Sequence, residues 1–101
     1  MIGFTAQAAR QVRNLRSHYE RKGFTGALRN LDAALDEAAR LIEADPGAGS
    51  SMPRPYPDPK LVKPGQAWVQ VGRYWVRYTV TPPLTVTGWF YDQADIPRRS
   101  R

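Results

Sequence analysis

Apolar residues in the first half of the chain recur at helical spacing, and in the second half they alternate. Residues 2–4 form a short apolar start that reads as an opening strand. Beyond it, Ala8, Val12, Leu15 and Tyr19 step by four, three and four residues, which draws one stripe along a helix that Thr5 can cap. Gly23 and Gly26 bracket a turn, with Thr25 as a candidate second cap. Leu28, Leu31, Leu35, Ala38 and Ile42 then draw a second stripe, which Asp45-Pro46-Gly47 terminates because proline and glycine do not continue a helix. Two amphipathic helices with a short connection make an αα-hairpin, and their stripes need a sheet to bury against. Leu31, Leu35, Val76, Tyr78 and Val86 are expected in that core.

Residues 46–64 hold six of the nine prolines and read as a long extended loop, made basic by Arg54, Lys60 and Lys63. Three strands are predicted after it, at 67–71, 74–80 and 84–91. A two-residue Gly72-Arg73 connection with glycine first suits a type II′ hairpin turn and sets Val71 opposite Tyr74. A three-residue connection, Thr81-Pro82-Pro83, would set Val80 opposite Leu84. Strict alternation then assigns Ala67, Val69, Val71, Tyr74, Val76, Tyr78, Val80, Leu84, Val86 and Phe90 to the face that meets the helices. The open face collects Trp68, Gln70, Trp75, Arg77, Thr79, Thr85, Thr87, Trp89 and Tyr91, including all three tryptophans. Such a patch marks either an interaction surface or a surface that the proline-rich loop or the tail folds over. The expected class is α+β, one domain spanning residues 1–101, with a basic tail at 95–101.

Composition narrows the chemistry. The chain contains no cysteine and a single histidine, His18, so neither thiolate nor histidine-based metal centres are expected, and no cofactor is implied. His18 itself is expected to face solvent or to cap. No apolar run approaches the roughly 20 residues of a membrane span, and a cytoplasmic protein is expected. The net charge is +6, most of it from arginine, since Lys22, Lys60 and Lys63 are the only lysines. Guanidinium groups suit bidentate contact with carboxylates or phosphates, so the expected partner is acidic, whether protein or nucleic acid.

The run Val71-Gly72-Arg73-Tyr74-Trp75-Val76-Arg77-Tyr78 and the later Phe90-Tyr91-Asp92-Gln93-Ala94-Asp95-Ile96, placed after a strand and a helical hairpin, resemble the ParE/RelE superfamily of bacterial toxins. The first run is similar to that family's GRY-type strand, the second to its closing motif. Tyr91 stands where ParE-like members commonly carry histidine, and Ala94 where they often carry arginine, with Arg98 and Arg99 following a few residues later. The resemblance implies a helical hairpin on one face of a small antiparallel sheet. It also implies one of two activities, the poisoning of DNA gyrase by ParE-like members or ribosome-dependent messenger RNA cleavage by RelE-like ones. Both kinds are silenced by a cognate antitoxin, typically acidic near its C-terminus.

Cleaving RNA through its own 2′-hydroxyl needs a base, an acid and cations to hold the developing charge. Trp68, Gln70 and Trp75 occupy positions that RelE-like enzymes fill with cations, leaving Arg77 as the cation of the open face and Tyr91 as a proton donor. The ParE-like branch is therefore favoured. On that reading there is no catalytic set, and Trp68, Arg73, Trp75, Arg77, Trp89, Tyr91, Arg98 and Arg99 form the target- or antitoxin-binding surface. The interferase reading, with Arg77 and Tyr91 as its catalytic pair, is the alternative. A small basic nucleic-acid-binding module, stacking bases on the aromatic sheet face, is a third.

Overall fold

A computed structural model of the protein describes residues 2–49 and 64–91. Most of the proline-rich loop, with Arg54, Lys60 and Lys63, lies outside the described residues, as do the basic tail, with Arg98 and Arg99, and the closing motif from Asp92 onward. The element order is β1 (Gly3–Phe4), α1 (Ala6–Lys22), α2 (Thr25–Ala44), a 3-10 turn at Pro46–Ala48, then β2 (Gln66–Val71), β3 (Tyr74–Thr79) and β4 (Thr85–Phe90). Two helices thus pack against a four-stranded sheet in an α+β arrangement.

Local chemistry sets the helix ends. The Thr5 hydroxyl accepts from the Ala8 amide at 3.2 Å and caps α1 as expected. Gly23 closes α1 in the left-handed conformation, φ +69°, from which the Gly23 and Phe24 amides reach back to Glu20 and Tyr19. Thr25 is not the second cap: α2 starts on it, and the preceding Phe24 makes no side-chain capping bond. Helix α2 ends at Ala44, before Pro46, as the sequence requires. Arg16 and Asp32 tie the two helices together at 2.7 Å.

The strands run in the order β1-β4-β3-β2. Pairing is antiparallel between β2, β3 and β4, but β1 lies parallel to β4, with Gly3 beside Thr85, so the sheet is mixed rather than wholly antiparallel. Val71 does face Tyr74 across the Gly72-Arg73 turn. Gly72 has φ +58° and, among the described residues, Arg73 included, no non-glycine has positive φ, which excludes a type I′ turn and agrees with type II′.

Alternation holds until β4 and then fails. Tyr78 pairs with Val86, yet Arg77 pairs with Gly88, leaving Thr87 as the extra residue of a β-bulge. Thr87 and Gly88 both turn toward Arg77: the Thr87 hydroxyl accepts from it, and a Cβ on Gly88 would come within 3.3 Å of its Nη2. Every later side chain is inverted relative to strict alternation. Trp89, expected on the open face, joins Val76, Tyr78 and Val86 against the helices, while Phe90, expected against the helices, joins Trp68 and Trp75 on the open face. Tyr91, also expected on the open face, sits against the helix-side core.

The helix-side core is built from Ala8, Tyr19, Leu31, Ala34, Ala38 and Ile42 against Val71, Tyr74, Val76, Tyr78, Val86 and Trp89. Leu35 belongs to its margin and is half-buried. Gln11 is buried among these residues because its side-chain oxygen accepts from the Trp89 backbone amide at 2.9 Å, a bond β4 needs where it bends at the bulge. The turn after α2 is fixed by Tyr78, whose hydroxyl donates to the Pro46 carbonyl at 2.7 Å.

Candidate functional site

Two connections reach the same region of the molecule: the α1–α2 turn at Gly23–Phe24 and the β2–β3 turn at Gly72–Arg73. Between them lies a cleft of about 1220 Å³, walled by α1 and α2 and floored by the start of β3 and by Tyr91. Its apolar surface comes from Leu15, Ala27, Ala34 and Val71, and its rim carries Arg21 and Arg73 against a single carboxylate, Glu37. Glu37 is already bonded to Arg40, whose guanidinium holds its carboxyl below the usual range. The cleft therefore presents apolar surface beneath a cationic edge.

Aromatic residues make up much of the lining. The Tyr19 and Tyr74 hydroxyls lie 3.0 Å apart. Tyr74 is stacked at a tilt on Trp89 with centroids 5.3 Å apart, and Tyr91 stands edge-on to it at 5.9 Å. Burial, and then the bond to Tyr19, drive the Tyr74 phenol far above the ordinary tyrosine range, so it remains neutral. Arg73 reaches toward the Tyr91 hydroxyl at 3.5 Å, the long limit of a hydrogen bond. Phe24 is half exposed at the mouth, with the His18 ring edge-on to it at 6.2 Å. His18 is exposed, as expected.

The open face of the sheet is a different environment. Trp68, Trp75 and Phe90 are 1%, 6% and 0% exposed, so these rings are buried rather than presented to solvent. Arg77 is buried with them, its guanidinium 5.5 Å from the Trp68 ring and 5.9 Å from Phe90. Nε donates to the Thr87 hydroxyl at 3.0 Å and Nη2 to the Thr87 carbonyl at 3.1 Å, while the Thr87 hydroxyl donates onward to Gln66 at 2.7 Å. Among the described residues, Nη1 finds no hydrogen-bond partner. Desolvation lowers the pKa of Arg77, yet arginine starts so high that it stays charged.

The anticipated surface thus divides in three. Arg73 and Tyr91 meet at the cleft, Trp68, Trp75 and Arg77 are enclosed on the opposite face, and Trp89 is in the helix-side core. Arg98 and Arg99 are outside the described residues. Tyr19, Arg21, Phe24 and Tyr74 line the cleft without having been marked by the sequence pattern. Tyr19 and Tyr74 read only as core positions there, and nothing in their spacing announces a cavity. Among the described residues, no cluster of ligating side chains could hold a metal ion, and no helix is long and apolar enough to cross a membrane.

No protein-family model matches the chain, and no curated protein matches it in sequence.

Proposed function

We propose that this chain is the toxin of a type II toxin–antitoxin pair, of the ParE-like kind that inhibits DNA gyrase, and that its cleft receives an acidic segment of the antitoxin. One observation carries the choice of branch. Arg77 and Tyr91, the pair an RNA-cleaving site would use, lie on opposite sides of the sheet, and Arg77 is buried and bonded to Thr87. A general acid and a phosphate-binding cation have to converge on one phosphodiester to share a transition state. Separated by the sheet, these two do not converge.

The element order of strand, helical hairpin and meander supports the same family reading. The cleft supports the neutralising partner. Its apolar lining offers burial, and Arg21 and Arg73 offer charge to an acidic peptide. The base-stacking module loses its support with the burial of Trp68 and Trp75.

Purified protein added to a gyrase supercoiling assay is expected to inhibit it while leaving ribosome-bound messenger RNA intact. Phe24→Asp, at the mouth of the cleft, is expected to retain growth inhibition but to escape neutralisation by the antitoxin. Codon-positioned RNA cleavage by the pure protein would overturn the gyrase reading in favour of the interferase. Unchanged neutralisation of Phe24→Asp would remove the cleft from the antitoxin interface.

A further inference from the structure

Charge is segregated within the helical hairpin. Helix α1 carries Arg10, Arg13, Arg16, Arg21 and Lys22 against one acidic residue, Glu20, whereas α2 carries Arg29 and Arg40 against Asp32, Asp36, Glu37 and Glu43. The buried side of α1 is set by Ala8, Gln11 and Tyr19. On the opposite side, Gln7, Arg10, Asn14, Ser17 and Arg21 recur at three- and four-residue spacing, all exposed, with exposed Arg13 alongside. Arg10 and Arg21 are eleven residues apart, roughly 16 Å at the helical rise. The ion pairs among the described residues engage Arg16 and Arg40, not Arg10, Arg13 or Arg21. Beside Arg10 the helix also forms a shallow recess of about 220 Å³, lined by Gln7, Arg10, Gln11 and Asn14, every one of which carries N–H donors.

From this arrangement we infer that the outward face of α1 is a docking surface for the sugar–phosphate backbone of duplex DNA. The side-chain types decide between the two kinds of acidic partner. Protein interfaces draw most of their energy from apolar and aromatic anchors at a desolvated centre. This ridge has none. Arginine, asparagine, glutamine and serine are the side chains that contact phosphate oxygens and position a protein on a duplex without reading its bases. The recess gives one phosphate a seat among donors, and Arg13 and Arg21 extend the contact along the strand. Binding is expected to be independent of sequence and strongly weakened by salt, because each neutralised phosphate releases counterions. This surface meets the cleft at Asn14 and Arg21, but Arg10 and Arg13 lie outside the cleft, so a test confined to them does not depend on the toxin reading.

The measurement is fluorescence anisotropy of a short labelled duplex of mixed sequence, titrated with the full-length protein over a range of salt. Arg10→Gln/Arg13→Gln is compared with Arg29→Gln/Arg40→Gln, which removes the same charge from α2. All four positions are exposed, and thermal unfolding of each variant confirms that it folds. The α1 variant is expected to lose about tenfold or more in affinity and to reduce the slope of log affinity against log salt by about two. The α2 variant is expected to remain close to the parent. Equal losses in both variants would reduce the effect to net charge and overturn the proposal. So would an absence of salt-dependent duplex binding, or binding of an acidic peptide through Arg10 and Arg13 with none of DNA.

Discussion

The hydroxyls of Tyr19 and Tyr74 lie 3.0 Å apart, joining α1 to β3 across fifty-five positions of sequence in the buried wall of the cleft. A hydroxyl pair placed there secures the helix to the sheet only while both partners are present, because removing either one ends the bond between the two elements. Tyr19→Phe and Tyr74→Phe are each expected to cost about 1–2 kcal/mol. The double variant should cost less than their sum, with a coupling of roughly 0.5–1.5 kcal/mol in a double-mutant cycle of urea unfolding. Strict additivity would show that the two hydroxyls do not interact.

The same pair gives the fold a response to alkali. Burial and the bond to Tyr19 keep the Tyr74 phenol protonated in the fold to a higher pH than in the unfolded chain. The stability this contributes is complete below the unfolded tyrosine value, about 10, and is lost as pH rises from there toward the raised folded value. The urea midpoint should therefore fall across that window, and less steeply in Tyr74→Phe. Some slope should persist in that variant, since burial also raises Tyr78.

Arg77 separates a structural role from a catalytic one. Arg77→Ala withdraws a buried guanidinium from two aromatic rings and leaves the Thr87 carbonyl without that donor. A loss of about 2–4 kcal/mol is expected, from lost packing together with an unmet buried polar group. On the proposed gyrase reading, inhibition per folded molecule should not change. A variant of parental stability that had lost activity would contradict the structural assignment.

Gly88 tests the bulge. A Cβ there would come within 2.7 Å of the Phe90 ring and 3.3 Å of Arg77 Nη2, and both neighbours are buried and confined. Gly88→Ala is expected to cost about 1–3 kcal/mol by overpacking, read from chemical unfolding. Gly3→Ala, where a Cβ meets nothing within 4 Å, serves as the control.

Most of the architecture was legible in the sequence, because the forces behind it are local and periodic. The helical stripes gave the hairpin, and Leu31, Ala38 and Ile42 are buried where the spacing places them. A two-residue turn beginning with glycine fixed the β2–β3 register at Val71 and Tyr74. Leu35 proved half-buried because it lies at the edge of its stripe, so Leu35→Ala should cost less than Leu31→Ala, for which about 2–5 kcal/mol is expected. Alternation had no means of registering Thr87 as a residue outside the count, and from that one position followed the misplacement of Trp89, Phe90 and Tyr91. The β1–β4 pairing was equally hidden, since two residues carry almost no periodicity and their partner is more than eighty positions away. The cleft was out of reach for a different reason. It depends on how the hairpin sits over the sheet, which no single segment encodes.

Gly3 beside Thr85 and Phe4 beside Val86 have a bearing on the order of events during synthesis. A ribosome releases β1 well before the strand against which it lies, whose residues come more than eighty positions later. Until then β1 has no ladder to join, and Trp89, which meets Phe4 at 6.4 Å and forms part of the core, is also missing. The helical hairpin, built on short-range contacts, can form early, while closure of the sheet waits on contacts spanning more than eighty positions. Nascent chains stalled before β4 should accordingly be helical and protease-sensitive. On the toxin reading proposed above, toxicity would then wait for β4 to emerge, leaving an antitoxin made alongside it time to be present at that moment.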